Sequence, residues 1–208
     1  MRRLMITLTT TIMLMTLVAA CGNDGGDLPP PPASSSSETP GTPSPSLDLT
    51  PAEQQAVDEA RTKFDEFMNA YIEVSTAPLP TADTAEDLFF RVDEHLGGLL
   101  SQELRGEIVG RWGEQRVVAG TLGWDYVGVL ETDLDRVVEG SSFPRVNLLY
   151  CIDATDWVVV EAGSVEPAGA QGDRHLWHYA ISWNDDWFGQ GLEGWRVVER
   201  EAQDGQSC

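Results

Sequence analysis

The spacing of apolar residues predicts a long helix that begins near residue 50. Thr50-Pro51-Ala52-Glu53 combines a capping box with a proline at the first helical position, which is typical of a helix N-terminus. After this start, apolar residues recur every three or four positions and therefore share one face of the helix. They are Val57, Ala60, Phe64, Phe67, Tyr71 and Val74. Pro78 and Pro80 predict the end of the helix.

Two shorter helices are predicted to follow. The first begins at Thr84 and ends at Gly97-Gly98, and the second begins with Ser101 as its cap. Their apolar residues again fall on one stripe each. The inward residues are Leu88, Phe89, Val92 and Leu96 in the first, and Leu104, Ile108 and Trp112 in the second.

Beyond Gly113 the pattern changes from helical spacing to short segments rich in valine, isoleucine and aromatic residues, separated by Gly, Pro and Asp. This pattern predicts strands over residues 116–121, 126–134, 145–152, 157–162, 176–183 and 195–201. Apolar and small or polar residues alternate along 176–183, so one face of the sheet must be covered. Helices followed by strands predict an α+β domain over residues 50–208, with the helices packed on a largely antiparallel six-stranded sheet.

The segment before this domain has a different composition. Arg2 and Arg3 precede an uncharged run, Leu4 to Ala20, that is too short to span a bilayer comfortably, which predicts a cleavable signal peptide over residues 1–20. Residues 22–49 are rich in Pro, Ser, Gly and Asp and offer little apolar surface to bury. Together with Cys21 they predict a disordered stalk over residues 21–49.

Val18-Ala19-Ala20-Cys21 resembles the lipobox of bacterial lipoproteins. The resemblance implies that the Cys21 sulfur carries a diacylglyceryl group, and two acyl chains suffice for stable anchoring. It places the protein on the outer face of the bacterial cell membrane, with the lipid bilayer as a partner through Cys21. The alternative is a secreted protein cut near Ala20 whose cysteine is free or paired.

The charge of the chain excludes one class of partner. The formal net charge is −21, and removal of residues 1–20, which contain Arg2 and Arg3 and no acid, changes it to −23. A surface this negative repels phosphate backbones and anionic lipid, so we expect no nucleic-acid binding. The acidity favours solubility, and a cationic partner is the alternative.

The order of elements resembles the NTF2-like, SnoaL-like cone fold. The resemblance rests on the capped N-terminal helix, two shorter helices and a curved sheet that ends in Gly194-Trp195-Arg196-Val197. More narrowly, Leu149-Tyr150-Cys151-Ile152-Asp153 and Cys208 resemble small actinobacterial lipoproteins. If Cys21 carries lipid, Cys151 and Cys208 remain as one disulfide pair in an oxidising compartment. The alternative is a buried thiol at Cys151 and a free one at Cys208.

The sequence contains short matches to a cofactor motif and to a metal-site spacing, but the predicted elements around them do not fit either site. Gly189-Gln190-Gly191-Leu192-Glu193-Gly194 matches a dinucleotide fingerprint by letters, but a strand rather than a helix follows it. His175 and His178 are three apart on a strand and point to opposite faces, so they cannot chelate one metal ion. We therefore name no catalytic residue, no metal ligand and no cofactor.

A cone fold commonly encloses a pocket on its concave face. The residues that could line it are Tyr71, Trp112, Tyr150, Tyr179 and Trp183, which equally fit an aromatic core. The function expected is a tethered extracytoplasmic module without catalysis that binds a small apolar ligand or an envelope protein. The alternative is a SnoaL-like or ketosteroid-isomerase-like enzyme that acts on a small apolar substrate.

Trp187 and Phe188 lie in a loop among Asn184, Asp185, Asp186 and glycines. Two adjacent aromatic residues in such a loop either fold back over an open edge of the cone or contact a partner. Both residues are therefore candidates for a partner contact.

Overall fold

The computed structural model of the 208-residue chain describes residues 48–169, 171–203, 206 and 208. The predicted signal peptide, Cys21 and nearly all of the predicted stalk lie outside the described residues. No helix in these ranges is long and apolar enough to cross a membrane.

Three helices form the N-terminal half of the described domain: α1 (Pro51–Thr76), α2 (Ala82–Asp93) and α3 (Gly98–Gly113). The capping box at α1 forms as predicted, because the Thr50 backbone N–H donates to Glu53 Oε2 at 2.8 Å and the Glu53 N–H donates to Thr50 Oγ1 at 3.3 Å. These bonds satisfy amides that have no partner within the helix.

The shorter helices begin earlier than predicted. Thr81, not Thr84, is the N-cap of α2, and the Thr84 hydroxyl instead accepts a hydrogen bond from the Thr81 backbone N–H. Gly97, not Ser101, is the N-cap of α3. The Ser101 hydroxyl instead donates to the Asp93 carboxylate and so links α3 back to α2.

The described residues contain eight strands, all with antiparallel partners within their sheets. They are β1 (Arg116–Ala119), β2 (Gly123–Asp133), β3 (Val137–Val138), β4 (Ser141–Ser142), β5 (Arg145–Asp153), β6 (Val158–Glu161), β7 (Arg174–Trp187) and β8 (Leu192–Ala202). The main sheet has the order β2-β5-β7-β8. β1 pairs with β6, and β3 pairs with β4 in a short hairpin.

The prediction of one six-stranded sheet needs correction. All six predicted strands form, but four make the main sheet and β1 and β6 make a separate pair. The backbone explains the separation, because Gly120 has a φ of 96° and a Cβ there would lie 1.6 Å from the Asp156 carbonyl oxygen. The chain turns at this close contact, which joins the ends of β1 and β6 and separates them from β2.

Aromatic packing joins α1 to one face of the main sheet. The Phe64 ring stacks on Tyr150 with centroids 3.7 Å apart and meets Tyr179 edge-on at 4.6 Å. All three side chains are buried. Register shifts interrupt the β2–β5 and β7–β8 ladders, and β-bulges of this kind increase the local twist of a strand. This confirms the predicted α+β class, with helices packed on an antiparallel sheet.

The two edge strands hold α1 through indole hydrogen bonds. Trp124 on β2 donates from Nε1 to Asp65 Oδ1 at 2.9 Å, and Trp195 on β8 donates from Nε1 to Glu59 Oε2 at 2.9 Å. Both acceptors are carboxylates of α1, so these bonds are of the stronger, charge-assisted kind. They fix the helix across the sheet and thereby set the walls of the space beneath it.

Candidate functional site

A cavity of about 410 Å³ opens between the C-terminal half of α1 and the end of the main sheet where β5 ends and β7 begins. Its volume lies in the range of small-molecule pockets. The lining residues come from α1, β5, β7, β8 and the loops before β2, β6 and β7. They are Phe67, Met68, Tyr71, Leu122, Ile152, Ala154, Trp157, Gln171, Gly172, Asp173, His175, Trp177, Tyr179 and Arg200.

Aromatic rings form much of the wall. Trp157 lies 6.2 Å from Tyr71, and Trp177 lies 6.3 Å from Tyr179, measured between ring centroids. In each pair the rings are inclined by about 30°, at 32° and 29° respectively. Broad aromatic faces of this kind suit a flat apolar ligand.

A charged network lies behind the aromatic wall. The Tyr71 hydroxyl donates to Glu107 Oε1 at 3.1 Å, and Arg200 donates to Glu107 Oε2 at 2.8 Å. Arg111 donates to Glu107 Oε1 at 2.7 Å, and Arg200 also donates to Glu103 Oε1 at 2.9 Å. Two carboxylates thus balance two guanidinium groups, and the network has no net charge.

The surroundings fix the protonation of these groups. Burial raises the pKa of Glu107, but hydrogen bonds and charge from Arg200, the Arg111 charge and the Tyr71 hydrogen bond outweigh burial and hold the pKa below its ordinary value. Burial raises the pKa of both Tyr71 and Tyr179. Glu107 is therefore a carboxylate and both phenols remain hydrogen-bond donors at neutral pH.

The mouth of the cavity is polar and exposed. Asp173 and His175 face each other there, with Oδ2 and Nε2 3.6 Å apart, and their side chains are 79% and 49% exposed. Gly172 shapes the rim, because a Cβ at this position would lie 2.4 Å from the Ala154 carbonyl oxygen. Only glycine permits the two loops to approach this closely.

The structure brings two of the five predicted pocket residues to the cavity, Tyr71 and Tyr179. Trp112 is buried at the end of α3, and Tyr150 is buried under Phe64. Trp183 is on the same face of β7 as Trp177, but six residues further along the strand, a distance of about 20 Å. It lines a separate shallow depression with Trp195 and Pro144. Trp112, Tyr150 and Trp183 are therefore not cavity residues.

Trp187 and Phe188 differ from each other. Trp187 is 5% exposed, donates from Nε1 to the Gly194 carbonyl oxygen at 2.7 Å and meets Phe143 edge-on at 5.3 Å. Phe188 is 50% exposed and has a φ of 63°. The prediction that both could contact a partner is wrong for Trp187, because its ring is packed inside the domain.

Cys151 and Cys208 are joined by a disulfide in the structure, with Cα atoms 5.8 Å apart. Cys151 points to the face of the sheet opposite α1. The final segment lies beside β7, since Gln203 N–H donates to the Leu176 carbonyl at 2.9 Å and Leu176 N–H donates to the Gln206 carbonyl at 3.1 Å.

The sequence analysis missed Glu107, Arg200 and Trp157 as parts of the site. The pairing of Glu107 with Arg111 was visible as an i, i+4 spacing of opposite charges on a helix. Nothing local marked Arg200, which lies 93 positions from Glu107 along the chain. In the part of the chain that the structure describes, no cluster of three or more His, Cys, Asp or Glu residues could hold a metal ion.

These features define an α+β domain with an aromatic cavity backed by a neutralised charge network. Among solved structures, the intermembrane space region of the chloroplast protein ARC6 is similar with a TM-score of 0.36 and 15% identity, over 69% of this chain and 95% of that chain. CagV, a VirB8 homolog of the T4SS from Helicobacter pylori strain 26695, gives a TM-score of 0.34 and 10% identity, over 73% of this chain and 99% of that chain. Likeness at this level supports no functional inference. No family model and no curated protein matches the sequence.

Proposed function

We propose that the protein is a lipid-anchored extracytoplasmic module that binds a small, flat, uncharged ligand in the cavity between α1 and the sheet, without chemical conversion of that ligand. The single observation that carries the proposal is the 410 Å³ cavity with its aromatic wall. The anchor rests on the sequence around Cys21.

The cavity selects an uncharged ligand. Arg200 is the one cation in the lining, and its guanidinium already donates to Glu103 and Glu107. An anionic ligand would have to compete with these carboxylates for the guanidinium. A cationic ligand would find Asp173 as the one carboxylate of the lining, and this side chain is exposed at the mouth beside His175. A carbonyl or hydroxyl group can instead accept from the Tyr179 phenol, while the rings of Trp157 and Trp177 cover the apolar body.

Binding fits the cavity better than acid–base catalysis. A general base needs a pKa close to the working pH and an unshared lone pair aimed at the substrate. Glu107 has a lowered pKa, and its two oxygens already accept hydrogen bonds from Tyr71, Arg111 and Arg200. Its carboxylate therefore acts as a fixed structural charge.

A second candidate function rests on one further observation. Asp173 and His175 both line the cavity and lie 3.6 Å apart at its mouth. An Asp–His pair beside an apolar pocket is the arrangement of a general base and its orienting group. In this second function, His175 would be the general base that acts on a small apolar substrate, and Asp173 would orient it.

The test is recovery of the ligand from protein purified from its own cells. Organic extracts of wild-type protein and of Leu122→Trp, which fills the cavity, are compared by mass spectrometry. Leu99→Trp is the matched control, because Leu99 is 79% exposed on α3 and outside the cavity lining. We expect one uncharged small molecule with the wild type and Leu99→Trp, and at least a tenfold loss with Leu122→Trp.

The two candidate functions give different results with His175→Ala. If the protein only binds its ligand, extracts of His175→Ala contain the same small molecule as extracts of the wild type. If the protein is an enzyme that uses His175, extracts of His175→Ala contain unconverted substrate where extracts of the wild type contain product. Recovery of no small molecule from either the wild type or Leu99→Trp would refute the binding proposal.

A further inference from the structure

The two sulfurs of the disulfide lie in different environments. Cys151 is on β5 and is 2% exposed, whereas Cys208 is exposed. A thiolate must approach a disulfide sulfur along the S–S axis, on the side away from the leaving sulfur. The burial of Cys151 blocks that approach to its sulfur, so an external thiol has access to Cys208 alone.

A cation lies against the buried sulfur. Arg174, at the start of β7, donates from Nε to Cys151 Sγ at 2.9 Å, and the same guanidinium donates to Asp125 on β2 at 3.1 Å. A positive charge stabilises a thiolate. Arg174 is therefore placed beside the sulfur that would leave after attack at Cys208.

We propose that Cys208 is a site of thiol–disulfide exchange that reacts with a small or protein-borne thiol of the cell envelope. The incoming thiolate forms a new S–S bond with Cys208 Sγ. The electron pair of the Cys151–Cys208 bond moves to Cys151 Sγ, which leaves as a thiolate held by Arg174. The product is a mixed disulfide at Cys208 and a free thiolate at Cys151, with no net oxidation or reduction.

The reaction does not require unfolding. The backbone hydrogen bonds that Leu176 makes with Gln203 and Gln206 do not involve the sulfurs. They can persist while the covalent link opens. We therefore expect exchange in the native protein, at a rate that is independent of the rate of global unfolding.

The first experiment locates the adduct. The full chain with Cys21→Ala, in which Cys151 and Cys208 are the remaining cysteines, is incubated with 2-mercaptoethanol under native conditions and quenched with acid. It is then denatured and alkylated with an excess of N-ethylmaleimide at mildly acidic pH, because the Cys151 thiol is buried in the native domain. Peptide mass spectrometry should find mercaptoethanol on Cys208 and the alkyl group on Cys151. The opposite assignment, or reaction only in urea, would overturn the proposal.

The second experiment tests the role of Arg174 as a positioning residue. Exchange slows as the leaving thiol becomes less acidic, so loss of the neighbouring charge in Arg174→Gln should slow the reaction, by roughly threefold or more. Arg174→Lys should retain most of the rate, and Asp125→Asn should raise it by releasing the guanidinium.

A control separates this effect from a general change in charge. Arg116 has a similar exposure of 42% against 44% for Arg174, and it pairs with Glu114 away from the disulfide. Arg116→Gln should react at the wild-type rate. Equal rates for Arg174→Gln and Arg116→Gln would show that Arg174 does not assist the leaving sulfur.

Discussion

At the residue scale, Glu107 shows how contacts override burial. A half-buried carboxylate ordinarily becomes harder to ionise. Here Arg200, Arg111 and Tyr71 all donate to it, and its pKa is lowered overall. The carboxylate in turn accepts the Tyr71 hydrogen bond that orients one side of the cavity wall.

The lowered pKa of Glu107 predicts that this residue makes a pH-dependent contribution to the stability of the native state. A group whose pKa is lowered by folding stabilises the native state above its unfolded pKa, near 4.5, and the contribution is lost as pH falls through the folded value. Glu107→Gln should therefore reduce the dependence of the melting temperature on pH below about 4.5. Glu73→Gln, an exposed carboxylate on α1 paired with Arg91, is the control and should retain the wild-type dependence. The same pH dependence in both variants would contradict the Glu107 network.

At the element scale, the end of β7 and the loop that follows it pack as part of the domain. The Trp187 ring lies so close to Gly97 that a Cβ on Gly97 would be 2.6 Å from Trp187 Cζ3. Arg196 lies within 5.8 Å of the centroid of Trp187 and 5.6 Å of that of Phe188. The Trp187 ring is buried, and the Phe188 ring covers the Arg196 guanidinium on its solvent side.

We expect Trp187→Ala to lower the free energy of unfolding by about 3–5 kcal/mol, as for other buried aromatic residues replaced by alanine. Phe188→Ala should change it by no more than about 0.5–1 kcal/mol, because that ring is half exposed. Urea denaturation of the two variants measures the difference. Equal, small effects would mean that Trp187 is not buried and would restore it as a partner contact.

The sequence predicted elements better than it predicted the site. The apolar face of α1 is a local pattern and appears as expected. The alternation along β7 does not appear as alternating burial, because Ala180 and Ser182 on one face are as buried as Ile181 on the other. The start of α3 at Gly98 was missed because serine is a favoured N-cap residue, yet the Ser101 hydroxyl donates to Asp93 instead. The separation of β1 and β6 from the main sheet depends on contact between the chain at Gly120 and Asp156.

The site itself depends on distant parts of the chain. Tyr71 meets Glu107 across 36 positions and Arg200 meets Glu107 across 93. The spacing of residues along the sequence does not predict which distant residues meet. Tyr71 and Tyr179 could therefore be named as candidates from their residue type, whereas the charged network behind them could not be predicted. Trp112 and Tyr150 fit the same aromatic pattern but face the interior of the core.

At the scale of the whole molecule, the proposed function combines an acidic binding domain with a lipid anchor. The chain has 34 acidic and 13 basic residues, so its surface is repelled by anionic lipid headgroups. In the proposed function, attachment comes instead from a lipid on Cys21.

Cys21→Ala should move the protein from the membrane fraction to the soluble fraction after cell lysis, because the lipid is the proposed anchor. Ala20→Gly, which retains a small residue before the cysteine, should remain with the membrane. Immunoblots of washed membranes measure both. Unchanged sedimentation of Cys21→Ala would refute the lipoprotein assignment.

The most direct test of the central claim is titration with two matched probes, uncharged 9-fluorenone and the anionic fluorenone-4-carboxylate, followed by tryptophan fluorescence. At about 0.4 kcal/mol for each of roughly 14 non-hydrogen atoms, the uncharged probe should bind with a Kd of tens of micromolar. The carboxylate should bind at least tenfold more weakly, because Arg200 is already paired with Glu103 and Glu107. Leu122→Trp should abolish binding of fluorenone, and Leu99→Trp should not. Equal affinity for both probes, or binding that survives in Leu122→Trp, would contradict the account.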